Sequence, residues 1–451
     1  MKDKKILVVG MGRSGKAAVT ALVDAGAFVA AQDSKTADTM EPEFLQFMEN
    51  KGVEMFFGKK PSDMSVYDML VLSPGVPPTL DFIEEARKAG AEIIGELELA
   101  YRFCKGQFVA ITGTNGKTTT TTLVGEIYKA SGKDTCVGGN IGRAIAVDAL
   151  EATEDTWMIT ETSSFQLETI KDFQPVVSAI LNLTPDHMDR HKTMENYGRA
   201  KAAVFMNQTP DQYCVLNYDD PACFELAERE GCKAKVVPFS RMQELDFGAF
   251  AKAGKIIIVN EAGEEIEICG VDELKIPGTH NLENALAAAA ICYFGGIDPK
   301  VIGDTMKSFA GVAHRIELCC EKNGVRFVND SKGTNTDAAI KAIEAMKENI
   351  ILIAGGYDKG SEYDEFIDAF EGRVKELLLI GVTAPKIRAA AEAKGFTSIT
   401  DAADMEECVK LAYEMAEPGD VVLLSPACAS WDMYDNFEQR GDHFKECALK
   451  L

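Results

Sequence analysis

The stretch Ile111-Thr112-Gly113-Thr114-Asn115-Gly116-Lys117-Thr118 constrains this chain more than any other. Phe108 to Thr112 reads as a short buried strand, and Leu123, Val124, Ile127, Tyr128 and Ala130 recur behind it at helical spacing, so the glycines fall on a strand-to-helix turn. Such a turn suits phosphate. Gly113 and Gly116 let backbone N–H groups face inward without a Cβ in the way, and the helix start adds the positive end of its dipole. Lys117 adds a point charge, and the Thr118 hydroxyl can reach Mg²⁺. The full phosphate-loop pattern has a glycine where Ile111 stands, so this loop is a shortened variant.

With 451 residues the chain is too long for one core and points to three domains of ordinary size. Its net charge of −24 repels nucleic acid and anionic membranes, so an anionic ligand has to be held by local Lys, Arg, backbone amides and metal. Twelve cysteines without a C-x-x-C pair fit reduced thiols in the cytoplasm rather than a zinc knuckle or a disulfide framework. Ile6–Val9 is too short for a signal peptide and reads as a first strand, and no stretch is apolar enough to span a bilayer.

Residues 1–95 alternate strand and helix: Ile6–Val9, a helix over Lys16–Ala25, Phe28–Gln32 and Met69–Leu72. The first turn, Gly10-Met11-Gly12-Arg13-Ser14-Gly15, matches G-x-G-x-x-G, and Asp33 ends the second strand, which together read as a Rossmann-type nucleotide site. Alone this motif suggests NAD, but a chain with a second phosphate loop at Gly113 has little need of both for one redox reaction. Ser73-Pro74-Gly75 lies at the same sheet edge, as a ligand-facing turn or a plain one.

Residues 96–311 carry the phosphate loop. Three strands end on polar groups: Ala110–Thr112 on the glycine loop, Trp157–Thr160 on Glu161-Thr162-Ser163-Ser164, and Val176–Leu181 on Asn182. In an open parallel sheet these ends share one edge, where ligands bind. Glu161 is placed either for Mg²⁺ or as a helix-capping acid. Asp186-His187-Met188-Asp189-Arg190-His191 holds two of the five histidines, and His187, nearest the strand end, is the better metal candidate. Lys201, among alanines on a helix over Glu195–Met206, most simply snorkels to solvent; the sharper alternative is a desolvated site lysine. Residues 211–280 read as a β-rich extension with a hairpin over Lys255–Ile268, and Asn281 and Asn284 either read an adenine edge or cap the helix Leu282–Tyr293. Residues 312–451 form a second doubly wound sheet whose edge carries Lys332, Lys359 and Ser430, which suit a small dicarboxylate or are simply solvated.

Taken together, several motifs are similar to those of the Mur ligases, in an order and spacing that cover nearly the whole chain. They are Gly113–Thr118, Glu161 with Ser163-Ser164-Phe165-Gln166-Leu167, Asp186–His191, His314-Arg315, Asn329-Asp330-Ser331-Lys332 and the run Ser425–Gly441. The last run and the Gly10–Gly15 turn resemble the D-glutamate-adding branch. The resemblance implies three α/β domains, 1–95, 96–311 and 312–451: Rossmann-like, a parallel-sheet phosphate-loop ATPase, and Rossmann-like again. It implies an ATP-dependent amide ligase of peptidoglycan precursor synthesis, cytoplasmic and monomeric, joining D-glutamate to UDP-N-acetylmuramoyl-L-alanine. Ser14, Asp33, Ser34, Ser73, Gly75, Asn140, Ser163 and His187 would hold the UDP substrate. Gly113, Thr114, Asn115, Gly116, Lys117, Thr118, Thr119, Asn284, Arg315 and Asp330 would bind ATP. Lys332, Thr334, Lys359, Ser430 and Phe437 would receive D-glutamate. Thr118, Glu161, His187 and a carbamylated Lys201 would serve two Mg²⁺ ions. A ligase of the same family with another acceptor, a folylpolyglutamate synthetase, an NAD-dependent oxidoreductase and a nucleotide-gated binding protein are the competing readings.

Overall fold

The computed structural model describes every residue except Arg143, Pro277, Lys347, Glu348 and Lys359, and the side chain of Asp189. Runs of Ile, Leu and Val build strands that are buried on both faces, as strands flanked by helices must be. The first sheet comprises β1 (Lys5–Val9), β2 (Phe28–Asp33), β3 (Glu54–Phe57), β4 (Met69–Leu72) and β5 (Glu92–Gly95), all parallel, in the order β3-β2-β1-β4-β5. That is the doubly wound order, with the sequence reversing direction at β1, beside the glycine turn. The helix after β1 spans Arg13–Asp24, so it begins before the expected Lys16. Gly15 therefore lies inside its first turn, where a Cβ would stand 1.8 Å from the Gly10 carbonyl oxygen; helix and turn meet only because that atom is missing.

The second sheet has nine strands: β6 (Gln107–Thr112), β7 (Thr135–Gly139), β8 (Trp157–Glu161), β9 (Val177–Ile180), β10 (Tyr213–Asn217), β11 (Lys235–Ser240), β12 (Gly248–Lys252), β13 (Lys255–Val259) and β14 (Glu265–Gly270). Their order is β14-β13-β12-β11-β10-β9-β6-β8-β7. From β7 to β12 neighbouring strands are parallel, whereas β13 and β14 pair antiparallel as the expected hairpin. The β-rich extension thus continues the central sheet, which is mixed rather than purely parallel. Register fixes the edge that matters: Ile111 lies opposite Glu161, Thr112 opposite Ile180, and Gly139 opposite Glu161. The residues that follow β6, β7, β8 and β9 consequently emerge side by side.

The third sheet holds β15 (Glu317–Lys322), β16 (Val325–Asn329), β17 (Ile350–Gly355), β18 (Val374–Ile380), β19 (Ile399–Asp401) and β20 (Val421–Leu424) in the order β15-β16-β20-β17-β18-β19. Only β15 runs antiparallel.

The chain folds as two compact units, Met1–Glu273 with Glu283–Ser308, and Leu274–Leu282 with Phe309–Leu451. The first unit contains both of the first two sheets. They are tied by the helix Glu96–Phe103, whose buried Glu98 carboxylate accepts from the backbone N–H groups of Lys171 at 2.8 Å and Phe173 at 3.1 Å. No helix among the described residues is long and apolar enough to cross a membrane.

Candidate active site

The loop between β6 and the helix Lys117–Ala130 takes the shape its glycines allow. Gly116 caps the helix at φ +81°, in the left-handed region, and a Cβ there would stand 2.1 Å from Asn284 Oδ1. Asn182, just beyond β9, braces the loop from the neighbouring strand end. Its Oδ1 accepts from the N–H groups of Thr114 at 3.1 Å and Asn115 at 2.8 Å. Thr114 Oγ1 donates to the Thr184 carbonyl at 3.0 Å. Lys117 folds back over its own loop, donating from Nζ to the carbonyls of Gly113 at 2.9 Å and Thr114 at 2.6 Å.

Beside this loop Glu161 is 2 % exposed and both its carboxylate oxygens are engaged: Oε2 accepts from Thr118 Oγ1 and Oε1 from Asn140 Nδ2, each at 2.8 Å. The helix-capping alternative for Glu161 fails, because Ser163 caps the short helix Ser164–Leu167 and forms a capping box with Gln166. A hydroxyl and a carboxylate side by side next to a phosphate loop are hard oxygen donors, of the kind Mg²⁺ takes when substrate phosphates complete its shell. Among the described residues no three His, Cys, Asp or Glu cluster as a metal site.

Lys201 corrects the simplest sequence reading. It does not snorkel: it is 1 % exposed, donates to the Gly113 carbonyl at 2.7 Å and lies 4.5 Å from the Tyr197 ring centre. Its helix, Met194–Ala202, turns that face toward the phosphate loop. Burial, reinforced by the nearby Lys117 charge, holds its ammonium well below the usual lysine range, which favours the neutral amine. His187 has left-handed backbone at φ 53°, and its exposed ring stands 3.6 Å from Asp186 and packs on Phe165. Asn284 accepts from Thr120 Oγ1 at 3.3 Å, so it belongs to the loop's helix as well as to its own. Thr119 is buried one residue along.

At the edge of the first sheet, Asp33 shapes the glycine turn: its carboxylate accepts from Met11 N–H at 2.6 Å and Lys35 N–H at 2.9 Å. Ser73 Oγ donates to the Gly10 carbonyl at 2.7 Å. Ser14 is half-buried, and Ser34 and Gly75 are exposed along the same rim.

In the second unit Asp330, Ser331 and Lys332 follow β16. Asp330 is buried, accepts from Ser425 Oγ at 2.7 Å and from Ile316 N–H at 3.3 Å, and burial pushes its carboxyl up to about 7, against the pull of Arg315. Lys332 Nζ sits 5.2 Å from the Phe437 ring centre, and Thr334 N–H donates to the Lys332 carbonyl at 2.8 Å. Ser430 is buried and its carbonyl accepts from Tyr434 N–H at 2.8 Å. Lys359 lies outside the described residues. The residue that binds this edge together was not singled out in the sequence. Arg440, 1 % exposed, donates to the Ser331 carbonyl at 2.8 Å, to Ser331 Oγ at 3.0 Å and to the Cys428 carbonyl at 3.1 Å, joining the loops after β16 and β20. Its signal was an arginine within the apolar spacing of the helix Phe437–Lys450.

Comparison with known proteins follows this division. The MurD-like N-terminal domain of Mur ligases matches residues 4–95, the Mur ligase middle domain residues 111–292, and the Mur ligase glutamate ligase domain residues 314–428. Proteins named UDP-N-acetylmuramoylalanine–D-glutamate ligase are similar along their whole length. The one from Thermoanaerobacter sp. strain X514 is 51% identical, with 100% of this chain and 99% of that protein aligned. The one from Clostridioides difficile strain 630 is 47% identical over 99% and 98%. Among solved structures, the UDP-N-acetylmuramate-alanine ligase of Thermotoga maritima shares the fold at 20% identity and a TM-score of 0.60, covering 99% of both chains. A pseudomurein peptide ligase of Methanothermus fervidus does so at 20% identity and 0.59, covering 94% of this chain and 96% of its own. With three domain matches in order and relatives near half identity end to end, the chain belongs to the Mur ligase family.

Proposed function

We propose that the protein joins D-glutamate to UDP-N-acetylmuramoyl-L-alanine at the expense of ATP, a step of peptidoglycan precursor synthesis in the cytoplasm, and acts as a monomer. The observation that carries this reading is the set of relatives bearing that activity in their names, 46–51% identical across the chain. We assign the UDP substrate to residues 1–95, ATP chiefly to 96–311 and D-glutamate to 312–451, with the residues of each site as the family resemblance places them.

A carboxylate resists amines, because its charge repels them and its oxygen is a poor leaving group. Transfer of the ATP γ-phosphoryl to the alanyl carboxylate gives an acyl phosphate; the D-glutamate nitrogen attacks its carbonyl, and phosphate leaves as the amide forms. Phosphoryl transfer needs positioning and charge neutralisation more than covalent help. The N-terminus of the helix Lys117–Ala130 and the Lys117 side chain hold the phosphates, while Thr118 and Glu161 are the oxygen ligands that would hold Mg²⁺, which supplies positive charge to the phosphoryl oxygens when bound. Burial of Lys201 disfavours its ammonium and so favours the neutral amine, the form that adds CO₂; its carbamate, with His187, would serve a second ion. Asn140, bonded to Glu161, orients the muramoyl side of the site.

The test is phosphate release from ATP with UDP-N-acetylmuramoyl-L-alanine and, in turn, D-glutamate, L-glutamate, L-alanine and a diamino acid. Release that depends on D-glutamate alone is the expected result. Release with another acceptor transfers the protein to a different ligase of the family, and release with none sinks the reading.

A further inference from the structure

Arg190 and His191, at the end of the Asp186–His191 motif, have no part in the chemistry above, yet both side chains are engaged by neighbouring residues. His191 is 5 % exposed and closes the short helix Met188–His191. Its Nε2 lies 2.9 Å from Ser164 Oγ, and its Nδ1 lies 3.5 Å from Glu168 Oε1. A carboxylate can only accept, so the imidazole proton belongs on Nδ1 and Nε2 accepts from the Ser164 hydroxyl. The ring stacks on Phe165 at 5.4 Å and packs on Tyr197 at 5.1 Å. Tyr197 in turn meets Thr114 Oγ1 of the phosphate loop at 3.3 Å and underlies Lys201. Glu168 also pairs with Arg190 at 2.6 Å, and Arg190 donates to the Pro74 carbonyl at 3.2 Å.

One buried imidazole therefore touches the helix capped by Ser163 and reaches the phosphate loop through Tyr197 and the Ser73–Gly75 turn through Glu168 and Arg190. Ser164 is buried as well, which leaves the Ser–His–Glu series without an approach for a substrate of its own. We propose that His191 and Ser164 are positioning residues of the ligase reaction: their hydrogen bond fixes the helix Ser164–Leu167 against the phosphate loop, so that the alanyl carboxylate and the γ-phosphoryl group meet in register. This rests on the reading under Proposed function.

The decisive measurement is a double-mutant cycle in the full-length protein. His191→Phe keeps the stacking and removes the hydrogen bond; Ser164→Ala removes it from the other side. Each is expected to lower kcat about tenfold with KM for ATP within about twofold, because misplacement at the reacting atoms costs rate rather than nucleotide affinity. The double variant should be no slower than either single one. His191→Gln, whose amide oxygen can reach the Nε2 position, should recover most of the rate. Full additivity, wild-type kcat in Ser164→Ala, or losses that match a loss of folded protein would overturn the proposal. A readout free of turnover separates this failure from failure of the ligase reading. In the wild-type protein the ¹⁵N shift of His191 Nε2 should be that of an unprotonated acceptor and should move in Ser164→Ala. An unmoved signal refutes the link whatever the protein catalyses, whereas a moved signal without D-glutamate-dependent phosphate release leaves the link standing and removes the reaction.

Discussion

Lys117 and Lys201 direct their side-chain nitrogens at the same acceptor, the Gly113 carbonyl, from 2.9 Å and 2.7 Å. Two ammonium groups that close repel, and burial comes first at Lys201: desolvation, reinforced by the Lys117 charge, holds its ammonium well below the usual lysine range. The same residue type thus takes two chemical roles a few ångströms apart. In the proposed reaction Lys117→Ala removes the charge assigned to the phosphates, and kcat should fall by about 10²–10³-fold with KM for the UDP substrate within a few-fold. Steady-state kinetics check it, and wild-type rates would remove Lys117 from the mechanism. Lys201→Ala should also abolish most turnover. If the amine carries a carbamate, added short carboxylates should restore part of the rate by supplying the missing oxygens, and a dose series of acetate or formate that restores none of it would argue for an unmodified lysine.

At the scale of elements, glycines decide where strands hand over to helices. At Gly116 an alanine would need left-handed backbone and would drive its Cβ onto Asn284, which already accepts from Thr120. Gly116→Ala should cost about 1–3 kcal/mol of stability and weaken ATP binding, measured by calorimetric melting and nucleotide titration. Gly15→Ala should unfold or displace the first turn, since its Cβ would stand 1.8 Å from the Gly10 carbonyl oxygen and 3.0 Å from Ser73 Oγ. Both glycines were legible in sequence because their motifs encode the turn itself. The strand ends at Thr112, Glu161 and Asn182 were legible too, since a hydrophobic run that stops on a polar group marks a sheet edge. What the sequence withheld was direction. Lys201 among alanines has the same spelling whether its face meets solvent or the phosphate loop, and only the packing of Met194–Ala202 decides. Arg440 was hidden for the same reason: burial of a guanidinium depends on carbonyls from two distant loops, and no local spacing announces them. The antiparallel edges at β13–β14 and β15 follow from short connections rather than from strand composition.

For the whole molecule, the groups that change charge near neutrality are few and mostly buried, and they oppose one another. Glu96, 1 % exposed with Oε1 accepting from Ala146 N–H at 2.8 Å and Oε2 without a partner, is pushed up to about 7 by burial, and Asp330 in the other unit likewise to about 7. Each binds a proton in the folded chain that the unfolded chain has released, so each contributes stability at low pH that is lost as pH rises from the unfolded value through about 7. Half-buried His280, lowered to about 4 by desolvation, and buried His191, lowered by burial, work the other way: the unfolded chain takes up their protons first, so their contribution is lost as pH falls below the ordinary histidine range. Between about pH 5 and 6.5 the two sets act against each other. Glu96→Gln deletes one of the two raised carboxyls while preserving shape. Its stability relative to wild type should therefore climb by about 1.4 kcal/mol per pH unit from about pH 5 to 7 and then level off. Calorimetry of the two proteins across pH 5–8 checks this: diverging curves locate the proton on Glu96, and parallel curves mean that its carboxyl is ionised throughout and that a water or neighbouring donor meets Oε2.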